Sequence, residues 1–173
     1  AFLAQITAAY LLGLYLAQLR GNKYKDEIAS ILAELQNMPA KIQKVIDNDT
    51  QVKELGVEMK DASSVIFLGR HVGFPVAMEG ALKLKEITYI HAEGFAAGEL
   101  KHGPIALIDE GQPVIVVVPS ANGRDSLHGK VVSNIQEVRA RGAFTIVIAE
   151  EGDEAVKPYA DRLITVPACP SLL

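Results

Sequence analysis

The sequence predicts an α/β fold: a mostly parallel sheet with helices on both faces, preceded by a helical segment. Two observations carry this prediction. Four short apolar runs rich in β-branched residues, VIFLG at 65–69, VIVVV at 114–118, TIVIA at 145–149 and LITV at 163–166, are unbroken by polar residues. Such runs read as strands covered on both faces. They alternate with helical stretches at 73–90 and 124–140, and that alternation implies βαβ crossovers between parallel neighbours. With 173 residues, 49% of them hydrophobic and 22% charged, the chain can build a compact core.

In chain order, residues 1–20, AFLAQITAAYLLGLYLAQLR, form the first helix. Their apolar character raises the readings of a membrane span or a signal peptide. No basic region precedes them, and Gln5, Thr7, Gln18 and the tyrosines Tyr10 and Tyr15 interrupt an Ala-rich surface. We therefore expect a helix packed against protein, with no membrane partner. The chain starts without a methionine, in mid-helix, as a fragment of a longer protein would.

After Gly21-Asn22, residues 24–48 place Ile28, Ile31, Leu32, Leu35, Met38, Ile42, Val45 and Ile46 at helical spacing. Pro39 lies inside this stretch and is expected to kink the helix or split it in two. Asn48, Asp49 and Thr50 are capping-type residues, and an amphipathic stretch at 51–60 follows. The α/β core then begins near residue 61.

The formal net charge of −4 argues against a nucleic-acid partner, since phosphate backbones demand a clustered excess of Lys and Arg. The single cysteine, Cys169, leaves no internal disulfide and no thiol pair for zinc or redox chemistry, which fits a reducing, cytoplasmic setting.

In a parallel sheet of this kind ligands collect beyond the carboxyl ends of the strands, which points to segments 69–74, 91–104 and 119–126. The helix MEGALKLKEITYI at 78–90 is also informative. At roughly 100° per residue, Glu79, Lys83 and Glu86 fall within about 60° of one another, and most of the remaining circumference is apolar. The helix is expected to be largely buried, so its charged stripe must be internally paired, face a polar cleft, or both. Spacing alone leaves two readings open: an ion-pair ladder on a solvated face, or part of an active site. Lys85 falls in the apolar arc, where only snorkelling accounts for it.

Segment 91–108, HAEGFAAGELKHGPIALI, gathers His91, Glu93, Glu99, Lys101 and His102 in a stretch punctuated by glycines and read here as a loop. His102 is either a surface histidine or a site residue near the carboxyl edge of the sheet. His91, Glu93 and His102 lack the spacing of a metal-ligand set, and no metal is expected. The passage FLGRHVGFP at 67–75 carries two glycines but no Lys-Ser or Lys-Thr pair, so a packing turn is favoured over a phosphate loop. PSANGRDS at 119–126 offers hydroxyl and amide groups and equally reads as a polar turn capping a helix. No Ser-His-Asp or Cys-His signature is present.

With these residues in view, EGALKLKE (79–86), YIHAEGFAAGELKHGPIALI (89–108) and SNIQEVRARG (133–142) closely resemble the isomerase half of the glucosamine-6-phosphate synthase family, the glutamine:fructose-6-phosphate aminotransferases. The resemblance runs through essentially the whole chain. It implies that residues 1–21 are the last helix of a first sugar-isomerase (SIS) subdomain and that 22–173 are the second. The latter would comprise a helical leader at 22–60 and a flavodoxin-like core at 61–173.

It further implies an enzyme without a cofactor that makes glucosamine 6-phosphate from fructose 6-phosphate and glutamine-derived ammonia, working as a homodimer with a glutaminase domain on the same polypeptide. By resemblance, Glu86 moves a proton between C1 and C2 in the ketose-to-aldose step and Lys83 assists it. His102 helps open the sugar ring and reaches the neighbouring subunit's site. The family's glutaminase nucleophile, its Ser/Thr-rich phosphate loop and its Schiff-base lysine have no counterpart in these residues, so the chain is expected to be incomplete alone. FLGRHVG and PSANGRDS are not expected to grip the substrate phosphate. Two other readings are a non-catalytic sugar-phosphate sensor and another aldose-ketose phosphate isomerase.

Overall fold

The computed structural model describes residues 2–122 and 127–169, and the chain forms two compact units that divide between Asp47 and Asn48. The first unit holds α1 (Phe2–Leu19) and α2 (Lys25–Asp47). Pro39 lies inside α2 without splitting it. A proline removes one backbone donor, and the flanking turns carry the helix across that gap.

α1 buries only Leu14 and exposes Phe2, Leu3, Leu11, Leu12, Tyr15, Leu16 and Leu19. The expected packing of this helix against protein is therefore not met within these residues. α2 is amphipathic and buries only Ile28, so it has a single apolar stripe to offer. By length and composition alone α1 could cross a membrane.

The second unit opens with α3 (Thr50–Glu58). Asp49 occupies the N-cap position of this helix, but its side chain makes no capping bond and pairs with Lys53 at 2.6 Å. Five parallel strands follow: β1 (Ser64–Gly69), β2 (His91–Ala96), β3 (Pro113–Val117), β4 (Phe144–Glu150) and β5 (Arg162–Val166). Their order across the sheet is β2-β1-β3-β4-β5, the flavodoxin-like arrangement. The four apolar runs are four of these strands. The fifth, β2, falls in HAEGFA, where a loop was expected. It is an edge strand that alternates exposed His91 and Glu93 with buried Ala92, so it has no apolar run to announce it.

Alternation along the strands builds two cores. Val65, Phe67, Ile115 and Ile146 face α3 and α4 (Gly73–Thr88), meeting Leu55, Met59, Ala77 and Ala81. Ile66, Leu68, Val114, Val116 and Val147 face the opposite layer. There they meet Val131, Ile135 and Val138 of α5 (Leu127–Ala140), with Ala97 and Leu100 from a 3-10 turn, Ala97–His102.

The β1–α4 connection is set by backbone packing. A Cβ on Gly69 would lie 2.0 Å from the Gly73 carbonyl oxygen, which suits the packing-turn reading of FLGRHVGFP. Gly73 in turn packs beside the Val117 carbonyl at the end of β3.

α4 is not largely buried. Only Gly73, Ala77 and Ala81 are, while Val76, Met78, Leu82 and Ile87 are exposed. The helix docks through small side chains and approaches the sheet closely, so that Gly80 sits against the Phe67 ring and Gly94 against the Met78 backbone. One narrow stripe is covered and the rest of the apolar arc faces outward.

Candidate functional site

Helical spacing brings the α4 charges together. Lys83 Nζ lies 2.7 Å from Glu86 Oε2 and 3.7 Å from Glu79 Oε1. The Glu86 hydrogen bond, reinforced by the charges of both carboxylates, raises the Lys83 ammonium above the ordinary lysine range. Lys83 and Glu86 side chains are each about half exposed, and Glu79 is more covered. The stripe is thus internally paired and flanked by the exposed apolar residues Val76, Met78, Leu82 and Ile87. Lys85 is exposed, as snorkelling requires.

α4 runs against the strand direction. Its start packs at the carboxyl end of β3, and its last residue, Thr88, lies three positions before the first residue of β2. Glu86 therefore sits toward the edge where the strands begin. His102 closes the 3-10 turn that follows the carboxyl end of β2 and is exposed. The turn packs through Ala97 and Leu100 into the core on the face of the sheet opposite α4, so the sheet stands between Glu86 and His102.

His91 lies 3.9 Å from Glu93, both exposed, at the start of β2. In the loop after β3 the Ser120 hydroxyl accepts a bond from the Asn122 amide at 3.2 Å. Residues 123–126 of PSANGRDS lie outside the described residues.

The sequence profile of the SIS domain matches residues 58–171. The chain belongs to the SIS-domain family. The SIS chain is 74% identical over 173 residues to the Corynebacterium glutamicum protein named glutamine–fructose-6-phosphate aminotransferase [isomerizing]. It is 63% identical over 172 residues to the Mycobacterium tuberculosis protein of the same name. It covers 28% of each relative, so it spans little more than a quarter of their length. Among solved structures it is similar to the C-terminal domain of glucosamine-fructose-6-phosphate aminotransferase from Francisella tularensis. That match has a TM-score of 0.87 at 38% identity and covers 97% of this chain and 47% of that one.

Within this SIS domain the fold joins Lys83 to Glu86 and leaves His102 apart. It also assembles polar groups that local sequence gives no sign of. Lys101 pairs with Glu137 at 2.9 Å, and Glu137 accepts from Asn134 at 3.3 Å. Asn134 accepts from Arg70 at 3.5 Å. His128 and Asp153, both nearly buried, meet at 2.6 Å. Asn134 and Glu137 are neighbours on α5, while Lys101, Arg70 and Asp153 come to that helix from other segments that only the three-dimensional fold brings together.

Proposed function

We propose that this chain is the second sugar-isomerase subdomain of a glutamine:fructose-6-phosphate aminotransferase. The carrying observation is the contact between Lys83 and Glu86 in a chain 74% identical throughout to a protein of that name. The substrates of the whole enzyme are fructose 6-phosphate and ammonia released from glutamine by a glutaminase domain on the same polypeptide, and the product is glucosamine 6-phosphate.

Glu86 is the group that takes a proton from one of the two carbons, C1 or C2, and returns it to the other. A positioned carboxyl group supplies about 10²–10⁴ in rate in such a transfer. Lys83, held cationic by its two carboxylate neighbours, stabilises the negative charge that develops on the substrate as the proton leaves. A ligand-sensing module would have no use for this pairing of proton carrier and cation. His102 acts in sugar-ring opening at the site of a second copy. Its place on the face of the sheet opposite Glu86 supports that reading, as does the uncovered apolar surface around the α4 stripe, which suits a protein partner. The enzyme is soluble and cytoplasmic, and the exposed face of α1 packs against the rest of the polypeptide.

The test is Glu86→Gln in the full-length protein. The amide keeps the shape and loses the base, so glucosamine 6-phosphate synthesis is expected to fall by about 10²–10⁴. Glutamine hydrolysis should persist. Wild-type synthesis by this variant would overturn the assignment.

A further inference from the structure

The reading above gives His102 a task but not a fixed position. His102 ends a six-residue 3-10 segment and is followed by Gly103, whose φ of +145° lies in the region that favours glycine. Short 3-10 segments, of which a second, Pro104–Leu107, follows directly, have poor hydrogen-bond geometry and depend on what they pack against. Ala97 and Leu100, both fully buried, fix the apolar underside of this turn.

Its polar side is held by a closed line of four side chains. Lys101, the residue before His102, pairs through Nζ with Glu137 Oε1 of α5 at 2.9 Å. The other Glu137 oxygen accepts from Asn134 Nδ2 at 3.3 Å, and Asn134 Oδ1 accepts from Arg70 Nη1 at 3.5 Å. The Arg70 guanidinium returns to the same turn, lying so close over Gly98 that a Cβ there would sit 3.2 Å from Nη2. The line thus begins and ends on the turn that carries His102. Asn134 is buried and the Glu137 side chain three-quarters covered, while Lys101 is two-thirds exposed, so removing Glu137 takes a partner from the buried Asn134 as well as from Lys101.

We propose that Glu137 is a positioning residue for His102, acting through Lys101, with Asn134 and Arg70 fixing Glu137 from behind. This rests on the role given to His102 above. The expectation follows from the sensitivity of catalysis to placement, where a shift of about 1 Å can cost a hundredfold in rate.

The experiment is a double-mutant cycle of Glu137→Gln and His102→Asn in the full-length protein, reading glucosamine 6-phosphate synthesis, glutamine hydrolysis and melting temperature. Glu137→Gln alone is expected to lower kcat for synthesis about tenfold, with KM for fructose 6-phosphate and glutamine hydrolysis little changed. In the His102→Asn background it should add nothing, because the residue it positions is gone. An equal loss in both backgrounds, or a fall in glutamine hydrolysis and melting temperature together, would mark Glu137 as merely structural and overturn the proposal. If His102→Asn lowers synthesis while Glu137→Gln does not, the positioning claim alone fails. Wild-type synthesis by His102→Asn would remove both the role of His102 and the inference built on it.

Discussion

Asp161 shows how one carboxylate can join a strand, a loop and a helix. Its Oδ2 accepts from the Thr145 amide at 2.8 Å and the Thr145 hydroxyl at 2.9 Å, while Oδ1 pairs with Arg139 of α5 at 3.0 Å. Burial pushes its pKa up, but the two Thr145 bonds and Arg139 outweigh that and leave the carboxyl below the ordinary value of 3.8. A depressed folded-state pKa adds stability that is present above the unfolded value and lost as pH falls through the folded one. Denaturant unfolding followed from pH 6 downward should therefore lose stability below about pH 4 in the native protein, and Asp161→Asn should flatten part of that slope while weakening the fold at neutral pH. At this same scale, residue type and helical spacing made Glu79, Lys83 and Glu86 legible in the sequence, since their contacts lie within one helix. Arg70, Asn134 and His128 were not legible. Arg70 meets Asn134 and His128 meets Asp153 across distant parts of the chain, and a side chain gives no local sign of a distant partner.

Among the elements, the β1–α4 turn is constrained by backbone packed against backbone. Gly69→Ala should place a methyl group against the Gly73 backbone, 2.0 Å from its oxygen and 2.3 Å from its carbon. Backbone atoms cannot swing away as a side chain can, so the substitution is expected to destabilise the domain by about 2 kcal/mol or more. Urea denaturation checks this, and a variant within a few tenths of wild type would contradict the packing argument. β1, β3 and β4 were legible because burial on both faces demands unbroken apolar runs, and the edge strand β5 because it keeps the run LITV although only partly covered. β2, at the opposite edge, was hidden because alternation of short and polar residues suffices there. The burial of α4 was overestimated for a related reason: apolar composition records the surface a helix can cover. The small residues Gly73, Ala77 and Ala81 determine the stripe that it does cover in this chain.

For the molecule as a whole, the parallel order β2-β1-β3-β4-β5 was predictable in kind from alternating strand and helix patterns. The outward apolar surfaces of α1 and α4 were not, because a sequence does not say which of its apolar faces the same chain will cover. The sheet stands between Glu86 on α4 and the turn that ends in His102, and on the proposed two-copy site this has a genetic consequence. Two alleles, each damaged at only one of these positions, should rescue each other. When full-length Glu86→Gln and His102→Asn proteins are co-expressed, mixed dimers of the kind proposed above would assemble one site from the intact Glu86 of one copy and the intact His102 of the other. Synthesis is expected to return to about a quarter of the wild-type level, since half the dimers are mixed and each has one sound site. A co-expressed pair no more active than either parent would mean that each chain supplies both groups to its own site.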